Sequence, residues 1–518
     1  MDGSKWRALM STTGQVDANS DTISFDDCLA ALYNYIGTQR GKLEQDLTKL
    51  SRKQVDDLTC SWIDSFLKDV RPKVEGYVDE QQNLELKRLY TTLERILTGY
   101  DVIQPLIDDP TVTEIQINAY DSVWAERKGR VERAKDPLTG EYIKFRSADA
   151  ALYFMNSLLQ ASDTQIDKGP NKCIGNAITP EGYRVAVIGP AAMAADKGRA
   201  FKQERSPACV IRKFSDKVIT SAELVTWYSE SDQMAKFISL LGDNHASVAV
   251  AGETGAGKTV NLQTVIDSIT DNTRVISMEK DSELRLRRYD SSGVLVNNVI
   301  QLEYIMEDGN ITYAPTSNTA ENLFNQDMRF TPRTIVFGEV RDPKEIQLCM
   351  TAAEAGHNIM FTVHAGSAYE TITRLTTALS KMNPGQQKSD IMDGICSSLD
   401  IIITPLQMKD GTRKVDAITE VLGCHVDGGM AKPILRTLYK FVETGYVDGI
   451  THGEHIQLNN ISDELLEKWS RKGMDPEVKK FLTAPVPEGG IRGTYNGEYS
   501  PYSKPASKEP ETYLEVGV

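Results

Sequence analysis

A glycine-rich string that follows a short apolar run constrains this chain more than any other feature of its sequence. Residues 252–259 read Gly-Glu-Thr-Gly-Ala-Gly-Lys-Thr and follow the apolar run 248–251. A buried strand, a glycine-rich turn and a helix in this order aim several backbone N–H groups at one point, where a polyphosphate binds. Lys258 would reach the β- and γ-phosphates, and the Thr259 hydroxyl would hold Mg²⁺. The residues of this predicted ATP or GTP site are Gly252, Glu253, Thr254, Gly255, Ala256, Gly257, Lys258 and Thr259.

The sequence around this loop predicts an α/β fold. Apolar residues follow the loop at positions 262, 265, 266 and 269, the i, i+3, i+4, i+7 spacing of a helix packed on a sheet. Strand and helix patterns then alternate from about residue 243 to residue 425, which implies a mostly parallel sheet. We therefore expect a P-loop nucleotide domain in this part of the chain.

Length and composition limit what surrounds that domain. A chain of 518 residues suggests two or three domains. No apolar run approaches the ~20 residues that span a bilayer, and the N-terminus lacks the layout of a secretory signal, so we expect a cytoplasmic protein without a transmembrane segment. The net charge of −15 argues against a sequence-independent nucleic-acid binder. The seven cysteines show no Cys-x-x-Cys spacing, which disfavours both a disulfide framework and a zinc ribbon.

Changes of pattern along the chain predict six segments. Ser231 is expected to cap a helix in the third segment, which Gly242 would end. The segments are a polar tail and helical extension at 1–95, an α+β N-terminal domain at 96–215, an interdomain linker and helix at 216–242, the nucleotide domain at 243–425, a C-terminal extension at 426–483, and a disordered tail at 484–518.

Two acidic residues follow predicted buried strands of the nucleotide domain. Glu339 comes directly after the apolar run 334–338, and Glu279 ends a strand that begins near residue 274. Ligand chemistry in open α/β sheets lies at the carboxyl ends of strands, so either carboxylate could orient the attacking water or help to hold Mg²⁺. Each could also be an ordinary strand-end glutamate in an ion pair. Asp342 before Pro343 is expected to cap the next helix.

Two histidines enclose another apolar strand. His357 precedes and His364 follows the run from Asn358 to Val363. These histidines could sense a phosphate or pair with the acids described above. Taken alone, either is as readily explained as a hydrogen-bonded structural histidine. His452 and His455 lie three residues apart, but no third ligand suggests a metal site.

The order of these motifs resembles that of the ATPases of type II and type IV secretion systems and type IV pili. The segment 274–284 is similar to the acidic box of that family, and Gly338-Glu339-Val340-Arg341-Asp342 is similar to its Walker B segment. Residues 352–357 and 363–367 are similar to its histidine box. Upstream, 184–187 and 211–214 resemble two strands of the family that carry arginines. The resemblance covers roughly residues 95–425, and the chain lacks the tetracysteine motif of the zinc-binding branch.

The resemblance implies a fold, an activity and partners. The fold would be a RecA-like nucleotide domain with a separate α+β, PAS-like N-terminal domain and a helical N-terminal extension. The protein would be a homo-hexameric, Mg²⁺-dependent ATPase, associated peripherally with the inner membrane through a platform or secretion-channel protein, and residues 216–230 would form a hinge. Its catalytic residues, carried over by position, would be Glu339, Glu279, His364, His357, Arg184 and Arg212, and Thr259 and Glu339 would be the candidate ligands of the Mg²⁺ ion.

One departure from the family pattern leaves two alternatives open. Lys280 stands where the family has an aspartate after the acidic-box glutamate, and Asp281 follows it. A nucleotide-gated scaffold without catalysis is one alternative, since Lys280 could disable the acidic box. A RecA-like DNA translocase or helicase is the other. The second would need basic pore loops and DNA-stimulated ATP turnover.

Overall fold

The computed structural model describes most of the chain, which divides into two compact units, Met1–Ser215 and Asp216–Val518. Within the described residues, no helix is both long and apolar enough to cross a membrane. The described residues are 23–40, 52–78, 85–127, 129–137, 140–159, 164–194, 205–213, 218–280, 282–304, 319–427, 430–471 and 473–500.

The described part of the first unit begins with helices that share one hydrophobic core. Leu89 and Leu93 are fully buried and belong to the same core as Phe66. Helical residues four apart lie on the same face, so this spacing gives the helix one buried side. The helices that share this core are α1 Phe25–Arg40, α2 Arg52–Val70 and α3 Leu86–Thr98. The short helix α4 Gln104–Asp108 follows them and packs Leu106 into the core of the sheet.

The strands described in the first unit form an antiparallel sheet in the order β3-β2-β1-β6-β5-β4. Alternate residues, such as Val185 and Val187, are buried against a core that includes Phe154 of helix α5 Ala148–Leu159. The intervening residues, among them Arg184 and Arg212, point to the other face. The strands are β1 Val112–Ala119, β2 Ser122–Arg127, β3 Arg130–Arg133, β4 Ile174–Ile178, β5 Arg184–Ile188 and β6 Ala208–Arg212.

The second unit contains a larger sheet, ordered β16-β15-β14-β13-β12-β7-β11-β10-β8-β9 over its described strands. Strands β12, β7, β11, β10, β8 and β9, which are neighbours in that order, run parallel to one another. Strands β13 to β16 pair antiparallel, and β13 also pairs antiparallel with β12. The parallel strands are β7 Val248–Ala251, β8 Val275–Glu279, β9 Val299–Glu303, β10 Thr334–Phe337, β11 Asn358–Val363 and β12 Ile401–Gln407. The others are β13 Arg413–Asp427, β14 Met430–Val447, β15 Ile450–Gln457 and β16 Ile491–Arg492, with β17 Thr494–Tyr495 and β18 Glu498–Tyr499 forming a separate pair.

Helices cover both faces of the parallel part of this sheet. Within β7, Val248 and Val250 join one core, whereas Ala249 and Ala251 join the core on the opposite face. Burial on both faces explains the continuous apolar runs of these strands. The helices are α6 Ser221–Thr226, α7 Asp232–Asp243, α8 Lys258–Asp267, α9 Ala320–Asp327, α10 Pro343–Glu354, α11 Ala368–Met382, α12 Lys388–Ser398, α13 Asp463–Ser470 and α14 Pro476–Leu482.

Two predicted helix caps are confirmed, but one predicted helix end is wrong. Asp342 caps α10 through Lys344 and Pro343 takes the first helical position, and Ser231 caps α7. Gly242 does not end α7, which continues to Asp243. A Cβ atom at position 242 would lie 2.8 Å from the carbonyl oxygen of Val265 in α8. The glycine therefore allows the two helices to approach closely.

The expectation of a disordered tail from residue 484 is wrong for residues 484–500, and residues 501–518 lie outside the described part. The carboxylate of Asp232 accepts hydrogen bonds from Thr494 Oγ1 at 2.7 Å and from the N–H groups of Asn496 at 3.0 Å and Gly497 at 2.9 Å. Tyr495 adds a buried contact, because its hydroxyl lies 2.8 Å from His455 Nδ1. Asp232, about 260 residues away in sequence, and His455, 40 residues away, thus order this polar segment.

Asp232→Ala should release residues 494–497 from the start of α7. The substitution removes one acceptor from three donors, so we expect the free energy of local opening there to fall by about 1–3 kcal/mol. Native-state hydrogen exchange would measure the change. Ser239→Ala, at an exposed position of the same helix, is the matched control and should have little effect.

The same contact predicts a pH dependence. Burial raises the pKa of Asp232, but hydrogen bonds from Gly497, Thr494 and Asn496 outweigh burial, and the net shift is downward. The stabilisation is therefore present above the unfolded pKa of about 3.9 and is lost as the pH falls through the lower folded pKa. At neutral pH, equal rates of hydrogen exchange at residues 494–497 in Asp232→Ala and Ser239→Ala would contradict the role given to Asp232.

Candidate nucleotide-binding site

The glycine-rich loop lies at the carboxyl edge of the parallel strands, between β7 and α8. Gly255 and Gly257 have φ angles of +81° and +93°, which only glycine adopts readily. A Cβ atom at Gly252 would lie 2.8 Å from the carbonyl oxygen of Pro405. These positions require glycine, and the loop they form opens at the N-terminus of α8. Within it, Glu253 and Thr254 are exposed whereas Ala256 is buried.

Lys258 lies in the first turn of α8 and is 9% exposed. Its Nζ donates to the carbonyl oxygen of Glu253 at 3.1 Å and lies 3.3 Å from His364 Nδ1. His364 directly follows β11, which pairs in parallel with β7. The structure thus brings His364 to the loop, as its position after a strand predicted.

Thr259 contacts an acidic residue to which the sequence assigned no role. Its hydroxyl donates to Glu283 Oε2 at 3.1 Å. Glu283 belongs to the irregular segment that follows β8. Its signal in the sequence is its place in the segment 274–284 that resembles the acidic box, where it is the third acid after Glu279 and Asp281, and no periodic pattern marks that position.

Glu279 holds this irregular segment in place. Glu279 is 3% exposed, and its Oε1 accepts hydrogen bonds from the N–H groups of Glu283 at 3.0 Å and Leu284 at 3.2 Å. A Cβ atom at Gly338 would lie 2.7 Å from Glu279 Cγ, so the glycine of the adjacent segment makes room for the carboxylate. These contacts make Glu279 a residue that positions Glu283. The strand-end position of Glu279 suggested a contact with water or metal, whereas these contacts are with backbone N–H groups.

Glu339 meets His364 at the carboxyl ends of β10 and β11. Its Oε1 lies 2.7 Å from His364 Nε2, and its Oε2 pairs with Arg341. Burial raises the pKa of Glu339, but Arg341, His364 and Lys258 outweigh burial and bring the pKa below its usual value. Glu339 is therefore ionised at neutral pH.

The contacts of His364 define its protonation state. Burial is the largest cause that lowers its pKa, followed by the charge of Lys258, while Glu339 acts in the opposite direction. A lysine ammonium only donates, so Nδ1 must accept from Lys258, and the proton of the neutral ring lies on Nε2, facing Glu339. Lys258, His364 and Glu339 thus form one continuous polar row beside the loop.

The structure does not bring His357 to this row, which corrects the expectation that it could pair with the acids. His357 precedes β11, and its Nδ1 lies 2.8 Å from the carbonyl oxygen of Pro332. A six-residue strand spans about 20 Å, so the residues before and after β11 lie at opposite edges of the sheet. Lys280 is exposed, and Asp281 lies outside the described residues.

Arg184 and Arg212 belong to the first unit and face each other across β5 and β6. Arg212 also pairs with Glu114 on β1, Nη2 to Oε2 at 3.3 Å. Like charges directly opposite on a sheet destabilise it unless an anion offsets them. The pair places two positive charges side by side on the face of the sheet turned away from its core, with Glu114 beside Arg212.

An open groove of about 550 Å³ adjoins the row in the second unit. It lies between α10 and α11, and its lining includes His364 together with the basic residues Arg341, Arg374 and Lys381. A concave surface with several positive charges favours anions. The site thus combines a phosphate loop, two carboxylates, a neutral histidine and a basic groove.

The sequence matches a family model described as type II/IV secretion system protein over residues 97–414. The chain is 29% identical to the type IV pilus retractation ATPase PilT of Pseudomonas aeruginosa over 252 residues, which are 48% of this chain and 65% of that protein. It is 25% identical to the type IV secretion system protein VirB11 of Brucella suis over 301 residues, 55% of this chain and 78% of VirB11. The match to PilT thus spans slightly less than two thirds of that relative.

A solved structure, titled as the pilus retraction motor PilT with bound ADP, matches 72% of this chain and 86% of its own chain. Its sequence identity to this chain is 16% and its TM-score is 0.40.

Two substitutions should move the pKa of His364 in opposite directions. Lys258→Met removes a neighbouring positive charge and should raise it, whereas Glu339→Gln removes a negative charge and should lower it. NMR of the histidine-labelled, nucleotide-free chain would follow the titration. Only six histidines contribute signals, and His364→Gln identifies the relevant one. Shifts in the same direction for both variants would contradict the polar row.

Proposed function

Because the chain belongs to the family of type II/IV secretion system proteins, we propose that it is a Mg²⁺-dependent ATPase that drives type IV pilus assembly or retraction, or type II or type IV secretion. The observation that carries the proposal is the meeting of Lys258, His364, Glu339 and Glu283 beside one phosphate loop. Binding, metal coordination and hydrolysis each have suitable groups there.

The loop and α8 would bind the phosphates of ATP. The N-terminus of α8 adds positive potential to the backbone N–H groups of the loop, and Lys258 supplies a full charge. Its present contacts with Glu253 and His364 hold the ammonium close to the loop. A polyphosphate would then compete with these acceptors for the Lys258 ammonium, which is already withdrawn from water and positioned beside the loop.

Thr259 and Glu283 fit a Mg²⁺ ion. Their side-chain oxygens are 3.1 Å apart, and oxygen is the ligand atom that Mg²⁺ prefers. The described residues hold no cluster of three or more His, Cys, Asp or Glu suited to a metal, so phosphate oxygens and waters would complete the coordination. When bound, Mg²⁺ would neutralise charge on the phosphates. Glu339, also predicted at this ion, contacts His364 and Arg341.

Glu339 would orient the attacking water. Its carboxylate is ionised and can accept a proton of that water while the γ-phosphoryl group leaves ADP. Arg341 pairs with one carboxylate oxygen and His364 Nε2 lies 2.7 Å from the other, so the carboxylate is already placed before hydrolysis proceeds. A neutral His364 would relay the presence of phosphate at Lys258 to Glu339.

Mechanical work would require a ring of subunits and a domain that moves. We propose a cytoplasmic homo-hexamer that acts on an inner-membrane platform or secretion channel. In this proposal the nucleotide domain is RecA-like, the N-terminal domain is PAS-like, and residues 216–230 form the hinge between them. Arg184 and Arg212 would supply the arginines that reach a nucleotide from the N-terminal domain or a neighbouring subunit. Their place opposite each other on β5 and β6, on the face of the sheet turned away from its core, supports this role.

Glu339→Gln should abolish most ATP turnover without abolishing nucleotide binding. We expect kcat to fall by about 100-fold or more, as for loss of a water-orienting base, while the affinity for Mg·ADP changes little. Glu354→Gln, at the exposed end of α10, is the matched control. Equally negligible turnover by the wild type and Glu339→Gln would favour a non-catalytic scaffold, and strong stimulation by single-stranded DNA would favour a DNA translocase.

Arg212→Ala should lower kcat of the assembled protein by about 100-fold or more, because the substitution removes the positive charge that would contact the γ-phosphate. Affinity of the protein for Mg·ADP should be little changed. Arg130→Ala, at an exposed position of edge strand β3, serves as control. A normal kcat in both Arg212→Ala and Arg184→Ala would refute a catalytic role for this pair.

A further inference from the structure

The turn between β12 and β13 lies against the phosphate loop. Strand β12 pairs in parallel with β7, so its carboxyl end reaches the same edge of the sheet as the loop. Arg413, the first residue of β13, donates from Nε to the carbonyl oxygen of Gly255 at 2.6 Å. A Cβ atom at Gly257 would lie 3.3 Å from Arg413 Cδ, which shows how closely the side chain follows the loop.

This contact fixes the orientation of one peptide group of the loop. A peptide is planar and trans, so holding the carbonyl of Gly255 also fixes the N–H of Ala256 on the opposite side. Phosphate loops bind through the directions of their backbone N–H groups. Arg413 therefore acts on the geometry that binds phosphate without facing the phosphates itself.

The same residues of β13 hold the turn that precedes α7. The hydroxyl of Ser229 donates to the carbonyl oxygen of Arg413 at 2.7 Å, and the N–H of Val415 donates to the carbonyl oxygen of Ser229 at 2.7 Å. Lys414 Nζ donates to the carbonyl oxygen of Tyr228 at 2.8 Å. Lys414 is 6% exposed, and a charged hydrogen bond away from water is strong.

Further contacts within the linker hold that turn. Glu230 is fully buried, and its carboxylate accepts a hydrogen bond from the hydroxyl of Ser221 at the start of α6. Tyr228 has a φ of +56°, a conformation that residues other than glycine adopt only where the surroundings impose it. The contacts with β13 are suited to impose it.

We propose that Arg413 is a positioning residue that couples the phosphate loop to the linker turn 228–230. Binding of a nucleoside diphosphate or triphosphate strengthens the contact between Arg413 and Gly255. The better-ordered β13 then stabilises its hydrogen bonds with Ser229 and Tyr228. The coupling rests on the proposed nucleotide site. It is reciprocal, so the contact that orders the linker also raises nucleotide affinity by the same factor.

Hydrogen exchange of the full chain with and without Mg·ADP tests the coupling. In the wild type, ADP should slow exchange both in the loop 252–259 and in the turn 228–231. In Arg413→Ala, ADP should still protect the loop but not the turn, and its affinity should fall by about fivefold or more. Lys409→Ala removes an exposed positive charge from the same β12–β13 turn and should behave as the wild type.

A second variant separates coupling from a merely structural role. Ser229→Ala leaves the contact between Arg413 and Gly255 in place but removes the hydrogen bond from the Ser229 hydroxyl to the carbonyl oxygen of Arg413, so ADP should protect the loop as in the wild type and the turn less than in the wild type. Its effect on ADP affinity should be largely absent in the Arg413→Ala background, as expected for two residues on one path. Additive effects of the two substitutions would overturn the proposal.

Two outcomes separate this inference from the proposed function. Protection of the loop by ADP in the wild type, with unchanged exchange in 228–231, overturns the coupling and leaves the nucleotide site intact. Absence of any protection of the loop overturns the proposed function, and the coupling with it. Unaltered protection of the turn in Arg413→Ala overturns the role of Arg413 alone.

Discussion

The nearly buried positive charge of Lys258 is the constraint on which the rest of the site depends. An ammonium withdrawn from water needs acceptors, and it has them in the carbonyl oxygen of Glu253 and in His364 Nδ1. The first acceptor exists because glycines let the loop turn sharply, and the second because β11 runs parallel to β7. His364 in turn keeps its proton on the side of Glu339. One charge therefore sets the tautomer of a histidine and the orientation of a carboxylate.

The charge distribution separates this site from the rest of the molecule. The chain carries a net charge of −15, yet the loop and its groove are surrounded by Lys258, Arg341, Arg374 and Arg413. These positive charges lie beside the carboxylates of Glu339 and Glu370, so they favour a small anion held at a few defined contacts over adsorption along an extended polyanion. The balance agrees with a small phosphorylated substrate better than with a nucleic acid track.

Sequence alone located those parts of the site that depend on local pattern. The loop, Glu339 and His364 each follow an apolar strand, and the parallel sheet brings such positions to one edge. His357 was misplaced because it precedes its strand, and a strand's length separates its two ends. Glu283 lies in the segment that resembles the acidic box, but its contact with Thr259 was missed because the segment is irregular and held by Glu279, and no periodic pattern predicts such a contact. The roles assigned to the site residues stay predictions.

Long-range contacts account for the other differences. Residues 484–500 look disordered by composition, but Asp232 and His455 order part of them from distant positions in sequence. Gly242 reads as a helix end because glycine often follows helices, whereas here it admits α8 at close range. In both cases the deciding partner is remote in sequence, so a local pattern could not reveal it. The same holds for Arg413, which reaches the loop across about 160 residues.

A crystal structure of the full chain with ADP and Mn²⁺, analysed by anomalous scattering, tests the central claim most directly. The phosphates should lie on the loop with the β-phosphate at Lys258, and the manganese peak should be in direct contact with Thr259 Oγ1 and close to Glu283. Glu339 should remain beside His364, facing the terminal phosphate. Nucleotide bound elsewhere, or a manganese peak remote from Thr259, would contradict the site as described.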